Sequence, residues 1–205
     1  MTTRISQSLR TAIGGAICLS ILSGLLVVHA WPLWTGQAAL LPVTPVDPRD
    51  IFRGEYVRLD TPVSRLAVRA AGAAPAGTLA VLPVGTWWTD LPAKPYDRHQ
   101  ALVDHVVYVQ LEPRGDTGES GPVSISSEPL AGRLNLRGRI SWYEAEGERL
   151  NVDYGIDSYF MQQGTAEPVE TALRQRRRVQ MEIAIASSGH ARIRRLIVDG
   201  LPVGR

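Results

Sequence analysis

The chain has 205 residues, with 22 Lys plus Arg against 20 Asp plus Glu, and a formal charge of +2 at pH 7. Setting aside Arg4 and Arg10 leaves a balanced remainder, which excludes a broadly basic nucleic-acid surface; the one local exception is the run Arg174–Arg178. A single cysteine, Cys18, excludes an intrachain disulfide and a cysteine-based zinc site, and an apolar content of 44% excludes a disordered chain.

Residues 1–10 are polar, with Arg4 and Arg10. Thr11 to Ala30 then carries no formal charge apart from a protonated His29, and Trp31 and Trp34 follow. About 20 such residues span a bilayer as a helix, and tryptophans belong at its interface. Residues 11–34 therefore read as a transmembrane anchor in contact with the lipid bilayer. The arginines ahead of it place residues 1–10 in the cytoplasm and residues 35–205 outside. The rival is a cleaved signal peptide, since Val28-His29-Ala30 fits a small-residue cleavage site. The length of the apolar segment and the tryptophans beyond it favour an uncleaved anchor. The expected location is the inner membrane, single-pass, with the C-terminal part periplasmic or otherwise extracytoplasmic.

The stretch from Pro45 to Thr61 holds the most unusual chemistry. Pro45 and Pro48 stiffen the exit from the anchor. Asp47 before Pro48 is an N-cap with proline at the first helical position, so Pro48 to Arg53 is predicted as one helical turn, ended by Gly54. Glu55 to Asp60 alternates with the period of a half-buried strand. Asp47, Asp50 and Glu55 can pair with Arg49, Arg53 and Arg58. One reading is a capped turn that locks the start of a sheet. The other is an active site with two carboxylates set for acid–base work.

Val63 to Ala70 reads as a second extended segment, begun at Thr61-Pro62. Ala71 to Gly77 is a loop, and Thr78 to Trp88 is an apolar run in which Pro83 signals an edge or bulge. Leu91 to Ala101 is loop or short helix. His105 to Glu112 is a clear strand, and Arg114 to Pro122 is a turn. Leu134 to Glu144 and Leu150 to Tyr154 form a hairpin through residues 145–148. Ile156 to Gly164 reads as a helix, because Ile156, Tyr159, Phe160 and Gln163 share one face. Glu167 to Gln175 is a second helix. Arg176 to Ser187 and Ala191 to Val198 are strands joined at Gly189, and a polar tail follows Gly200. The fold class is mainly β, a β-rich α+β domain: an antiparallel barrel or sandwich with one or two short helices, preceded by a single transmembrane helix.

His99 and His105, with Asp97 and Asp104, sit in a loop and at a strand start, so convergence on a metal is not implied and no cofactor is expected. Trp87, Trp88 and Trp142 are candidates for a stacking groove or for core. The Arg174–Arg178 run is a solvated helix end or a lipid-headgroup contact.

Gly54, Tyr56 and Leu59, in the context of Pro45 to Asp50, resemble the motif of the GDYXXLXY family, bacterial membrane-anchored proteins of unknown function. Glu55 stands at the motif's Asp and Thr61 at its final Tyr. Tyr154-Gly155-Ile156-Asp157-Ser158-Tyr159-Phe160 resembles a second signature of the family, so the resemblance covers most of the chain. It implies a membrane-anchored protein that accompanies a multi-pass membrane partner. If the two motifs meet in space, Asp47, Arg49, Asp50, Arg53, Glu55, Tyr56, Asp157 and Tyr159 form one candidate polar pocket. The expected function is a non-catalytic accessory or interaction domain docking to a membrane or envelope partner. The alternative is an envelope hydrolase or sugar-binding enzyme using Asp47, Asp50 or Glu55.

Overall fold

The structure, a computed structural model, describes residues 7–44, 56–70, 79–81, 91, 94–145, 148–160 and 166–203. Helix α1 (Gln7–Thr35) contains the apolar segment. Thr11–Thr35 contains an 18-residue stretch with a mean hydropathy of 2.2 that buries nothing inside the protein, and the helix is long and apolar enough to cross a membrane. Four of its polar side chains bond within the helix. The hydroxyls of Thr11, Ser20 and Thr35 donate to the carbonyls four residues back at 3.0, 2.8 and 3.0 Å, and His29 Nδ1 lies 3.0 Å from the Leu25 carbonyl. Such internal satisfaction is what a helix surrounded by hydrocarbon requires.

No linker separates α1 from the domain. Strand β1 (Gln37–Pro42) starts one residue after the helix ends. Gly36 makes that junction: a Cβ there would lie 2.3 Å from the Pro32 carbonyl and 2.9 Å from the Ile185 nitrogen. β1 pairs antiparallel with β10 (Val179–Ile185), β10 with β11 (Ala191–Val198), and β11 with β12 (Leu201–Val203), giving a four-stranded sheet.

That sheet lies against a closed six-stranded barrel. Its order is β3 (Arg65–Ala70), β4 (Leu79–Val81), β6 (Glu119–Ser126), β5 (Val106–Arg114), β7 (Leu134–Glu144) and β8 (Arg149–Asp153), with β8 returning to β3. The β3–β4 and β4–β6 pairs are parallel, so the barrel is mixed where the strand pattern alone suggests an antiparallel sheet. Val107, Val109, Leu111, Leu136, Ile140 and Leu150 are buried at alternate positions, the period of strands with one inward face. They join Leu41, Met181, Ile183 and Leu196 of the sheet in one hydrophobic cluster. Among the described residues the domain also holds two short α-helices, α2 (Pro95–Leu102) and α3 (Ala166–Arg174). Strands β2 (Tyr56–Arg58) and β9 (Ser158–Phe160) form a two-stranded ribbon of their own.

Several expectations need correction. Residues 156–160 are not helical: Ser158–Phe160 is a strand, because Tyr56–Arg58 offers it a ladder that local periodicity does not reveal. The predicted turn over Arg114–Pro122 shrinks to Gly115–Gly118, with strand on both sides. The expected tail after Gly200 is β12. Asp199 and Gly200 have φ of 48° and 83°, the two left-handed residues of a tight hairpin turn. β1 carries no alternating polar signal, since Ala39, Leu41 and Val43 are buried in an apolar run. The predicted turn Pro48–Arg53, and Trp87, Trp88 and Pro83, lie outside the described residues.

Candidate functional site

The two motif regions meet. In the β2–β9 ribbon Tyr56 is opposite Phe160, Val57 opposite Tyr159, and Arg58 opposite Ser158. The Leu59 N–H extends the pairing by donating to the Asp157 carbonyl at 2.7 Å, and the Thr44 N–H donates to the Asp60 carbonyl at 2.8 Å. Beyond the ribbon a cleft of about 530 Å³ opens, walled by Leu59, Asp60, Thr61 and Arg65 on one side and Asn151, Asp153, Tyr154 and Asp157 on the other.

Each described carboxylate of this cleft has a local partner. Asp60 accepts the Thr61 N–H at 2.9 Å and pairs with Arg65 at 2.7 Å. Asp153 accepts the Gly155 N–H at 2.8 Å, and Gly155 has φ of 67°, so the pair forms a turn that glycine suits. Asp157 accepts the Ser158 hydroxyl at 3.4 Å. Thr61 differs. It sits at the N-cap position of a single 3-10 turn, Pro62–Ser64, yet its side chain makes no capping hydrogen bond. The residue is 3% exposed and its hydroxyl has no partner among the described residues. An unsatisfied buried hydroxyl costs about 1–3 kcal/mol.

Tyr154 is the back wall. Its ring lies where Gly138 lacks a side chain: a Cβ on Gly138 would come within 2.7 Å of Tyr154 Cδ1 and 2.4 Å of Val152 Cγ1. Its hydroxyl donates to the Val63 carbonyl at 2.8 Å. Burial pushes the phenol well above its ordinary range, so it stays protonated and acts as a fixed donor.

On the other side of Tyr154 a second cleft, of about 490 Å³, lies between α1 and the β10–β11 hairpin. Val27, Val28, Trp31 and Pro32 form the helical wall, and Ser188, His190 and Arg192 belong to the hairpin side. A third, shallower hollow of about 800 Å³ is lined by Tyr96, His99, Gln100 and Trp142. There His99 and Trp142 meet edge to face with ring centroids 4.3 Å apart, and His99 Nδ1 lies 2.9 Å from the Tyr143 carbonyl. Among the described residues no group of three His, Cys, Asp or Glu is placed to hold a metal.

Of the candidate residues, Asp47, Arg49, Asp50, Arg53 and Glu55 lie outside the described residues, and Tyr56 is placed by its backbone in β2. Asp157 is exposed on the cleft rim. Tyr159 is half-buried and its hydroxyl donates to the Arg194 carbonyl at 3.5 Å. Sequence reasoning missed Asp60, Thr61, Arg65 and Asn151 as cleft residues. The available signal was Thr61-Pro62, a threonine before a proline, which marks a helical turn as readily as a strand start.

It also missed Arg194. The β10–β11 register shifts between Glu182 and Ile183, which leaves Arg194 as the extra residue of a bulge. Bulges re-aim side chains. Arg194 Nη2 donates to the Leu33 and Gly36 carbonyls at 3.0 and 3.1 Å, capping the C-terminal end of α1. Glu182 holds Arg194 at 3.6 Å and Arg195 at 2.6 Å.

The sequence model described as GDYXXLXY protein matches residues 18–196. No curated protein and no solved structure matches the chain.

Proposed function

The chain belongs to the GDYXXLXY family, and on that footing we propose that it is a non-catalytic accessory protein of the inner membrane. In this reading α1 is an uncleaved anchor, the domain is extracytoplasmic, and the cleft between the two motif regions docks a segment of a multi-pass membrane partner. The supporting observation is the state of the cleft's polar groups. Asp60, Asp153 and Asp157 are engaged as turn and ion-pair acceptors, whereas the buried Thr61 hydroxyl is left for an incoming backbone or polar side chain. Tyr154 walls both this cleft and the one against α1, which keeps the docking surface close to the bilayer where such a partner resides.

The test is crosslinking in native membranes from a photoreactive residue at Ser141, which is exposed on the cleft wall. A multi-pass membrane protein is expected, and a bulky Asn151→Trp plug is expected to abolish the crosslink without moving the protein out of the membrane. Recovery of no membrane protein above background, or an unchanged crosslink with the plug, refutes docking here. A C-terminal topology reporter active only in the cytosol refutes the orientation.

The alternative, an envelope hydrolase or sugar-binding enzyme using Asp47, Asp50 or Glu55, draws on the open shelf of Trp142 and His99, since exposed aromatic faces stack on sugar rings. Asp50→Asn separates the two: a lost phenotype with unchanged stability supports an enzyme, and a lowered melting temperature supports a structural corner.

A further inference from the structure

We propose that the cleft between the last turns of α1 and the β10–β11 hairpin binds one anionic phospholipid from the leaflet nearest the domain. This rests on α1 lying in a bilayer, and not on the docking role of the motif cleft.

The two walls of the cleft match the two ends of a lipid. Val27, Val28 and Trp31, with His29 among them, supply a mainly apolar wall, and Arg192 a cationic one beside the His190 imidazole, with no carboxylate among the lining residues. Its volume of about 490 Å³ falls within the ordinary range for small-molecule sites. Its depth in the membrane follows from the helix. Thr11–Thr35 comprises 25 residues, about 37 Å at the α-helical rise. The hydrocarbon core is about 30 Å thick, so the last turns of α1 stand at headgroup level.

The charge at this end of the domain is unspent. Arg194 and Arg195 pair with Glu182 on the same hairpin, and at the distal end Arg177 pairs with Asp199 and Arg178 with Glu119. Arg192 and Arg137 have no acidic partner among the described residues; Arg137 Nη1 instead touches His190 Nε2. The fold enforces this gathering of Arg137 and Arg192 around His190. The Arg137 N–H donates to the Gly189 carbonyl at 2.9 Å, and a Cβ on Gly189 would lie 2.8 Å from Arg137 Cβ, so only glycine lets the hairpin seat against β7. His190 is accordingly held below its ordinary pKa, first by burial and then by Arg137 and Arg192. A phosphate diester set here answers the charge of Arg192 and Arg137, and its acyl chains follow the helical wall. The Arg174–Arg178 run is a poorer headgroup contact. It precedes Val179, whereas Ile185 at the other end of β10 pairs with Gln37 beside the helix, about 20 Å away at the strand rise.

The experiment uses the full chain in nanodiscs of phosphatidylcholine alone or doped with phosphatidylglycerol, read by native mass spectrometry of retained lipid and by the melting midpoint. Preferential retention of phosphatidylglycerol is expected, with a higher midpoint. Arg192→Ala is expected to cut the preference about five-fold, and Arg137→Ala/Arg192→Ala further, because each cation near an anionic headgroup contributes about that factor. Arg176→Ala, in the distal run, serves as the control and is expected to change nothing. Equal retention of both lipids, or a preference that survives Arg192→Ala, overturns the proposal. So does inorganic phosphate raising the midpoint of the detergent-solubilised chain as much as phosphatidylglycerol does. Should Arg137→Ala lower the midpoint in pure phosphatidylcholine, Arg192→Ala alone decides. Alkaline extraction that releases the chain from membranes sinks the anchor itself; an embedded chain without lipid preference sinks only the lipid site.

Discussion

The two clefts on either side of Tyr154 make an instructive pair. They are alike in size and share one wall, yet their chemistry is opposite. The motif cleft gathers Asp60, Asp153 and Asp157 with Arg65, and most of that charge is neutralised locally by turns and a surface ion pair. An exposed pair of that kind contributes about 0–1 kcal/mol, so it shapes the rim more than it stabilises the fold. The helix cleft gathers His190, Arg192 and, next to them, Arg137 with no acid to answer them among the described residues. Long-range pairing assembles the first as well, but its carboxylates are answered locally, since Asp153 and Gly155 are two residues apart and Asp60 and Thr61 adjacent. In the second even the charge pattern is long-range, since Arg137 and His190 are brought together only when the hairpin docks on the barrel.

Removing the shared wall breaks the comparison most severely. Tyr154→Ala deletes the buried ring and its hydrogen bond to Val63, and chemical denaturation should show a loss of about 3–5 kcal/mol. Tyr154→Phe keeps the wall and should cost about 1–2 kcal/mol. Gly138→Ala presses a methyl into Tyr154 and Val152 and should cost about 1–3 kcal/mol. If Gly138→Ala is neutral by the same measurement, Tyr154 is not the rigid partition described above.

Thr61→Val sharpens the motif side. It removes an unpartnered buried hydroxyl, so the isolated protein should gain up to about 1 kcal/mol, while partner crosslinking from Ser141 weakens. A variant less stable than wild type indicates that the hydroxyl already has a partner. The smallest effect is expected from pH on the basic side. His190 has a folded pKa below its ordinary 6.5, so the unfolded chain binds the proton more tightly. Stability is therefore full above that ordinary value and is lost as pH falls through it towards the folded pKa. His190→Asn should flatten this part of the melting-temperature profile between neutral and mildly acidic pH; an unchanged slope shows that His190 is not its source.

Much of the architecture was legible locally. The apolar run of α1, the alternation in Val106–Arg114 and Leu134–Glu144, and the hairpin at Gly189 each announce themselves within a dozen residues. What escaped was decided at a distance. Ser158–Phe160 has helical spacing among its apolar neighbours, but the strand Tyr56–Arg58 offers it hydrogen bonds that a helix cannot supply from so far away. The Arg194 bulge is invisible in composition, because a one-residue register shift exists only relative to the neighbouring strand.

By itself the amino-acid sequence determined that a long apolar helix leads into a β-rich domain of the GDYXXLXY family, because hydropathy and strand period are properties of neighbouring residues. Tertiary structure alone decided that the barrel closes through parallel pairings, that helix and sheet join without a linker, and that the charges split into an acidic and a basic cleft. Those outcomes depend on which strand edges and which side chains meet across the fold, and no stretch of chain carries that information until the whole core has formed.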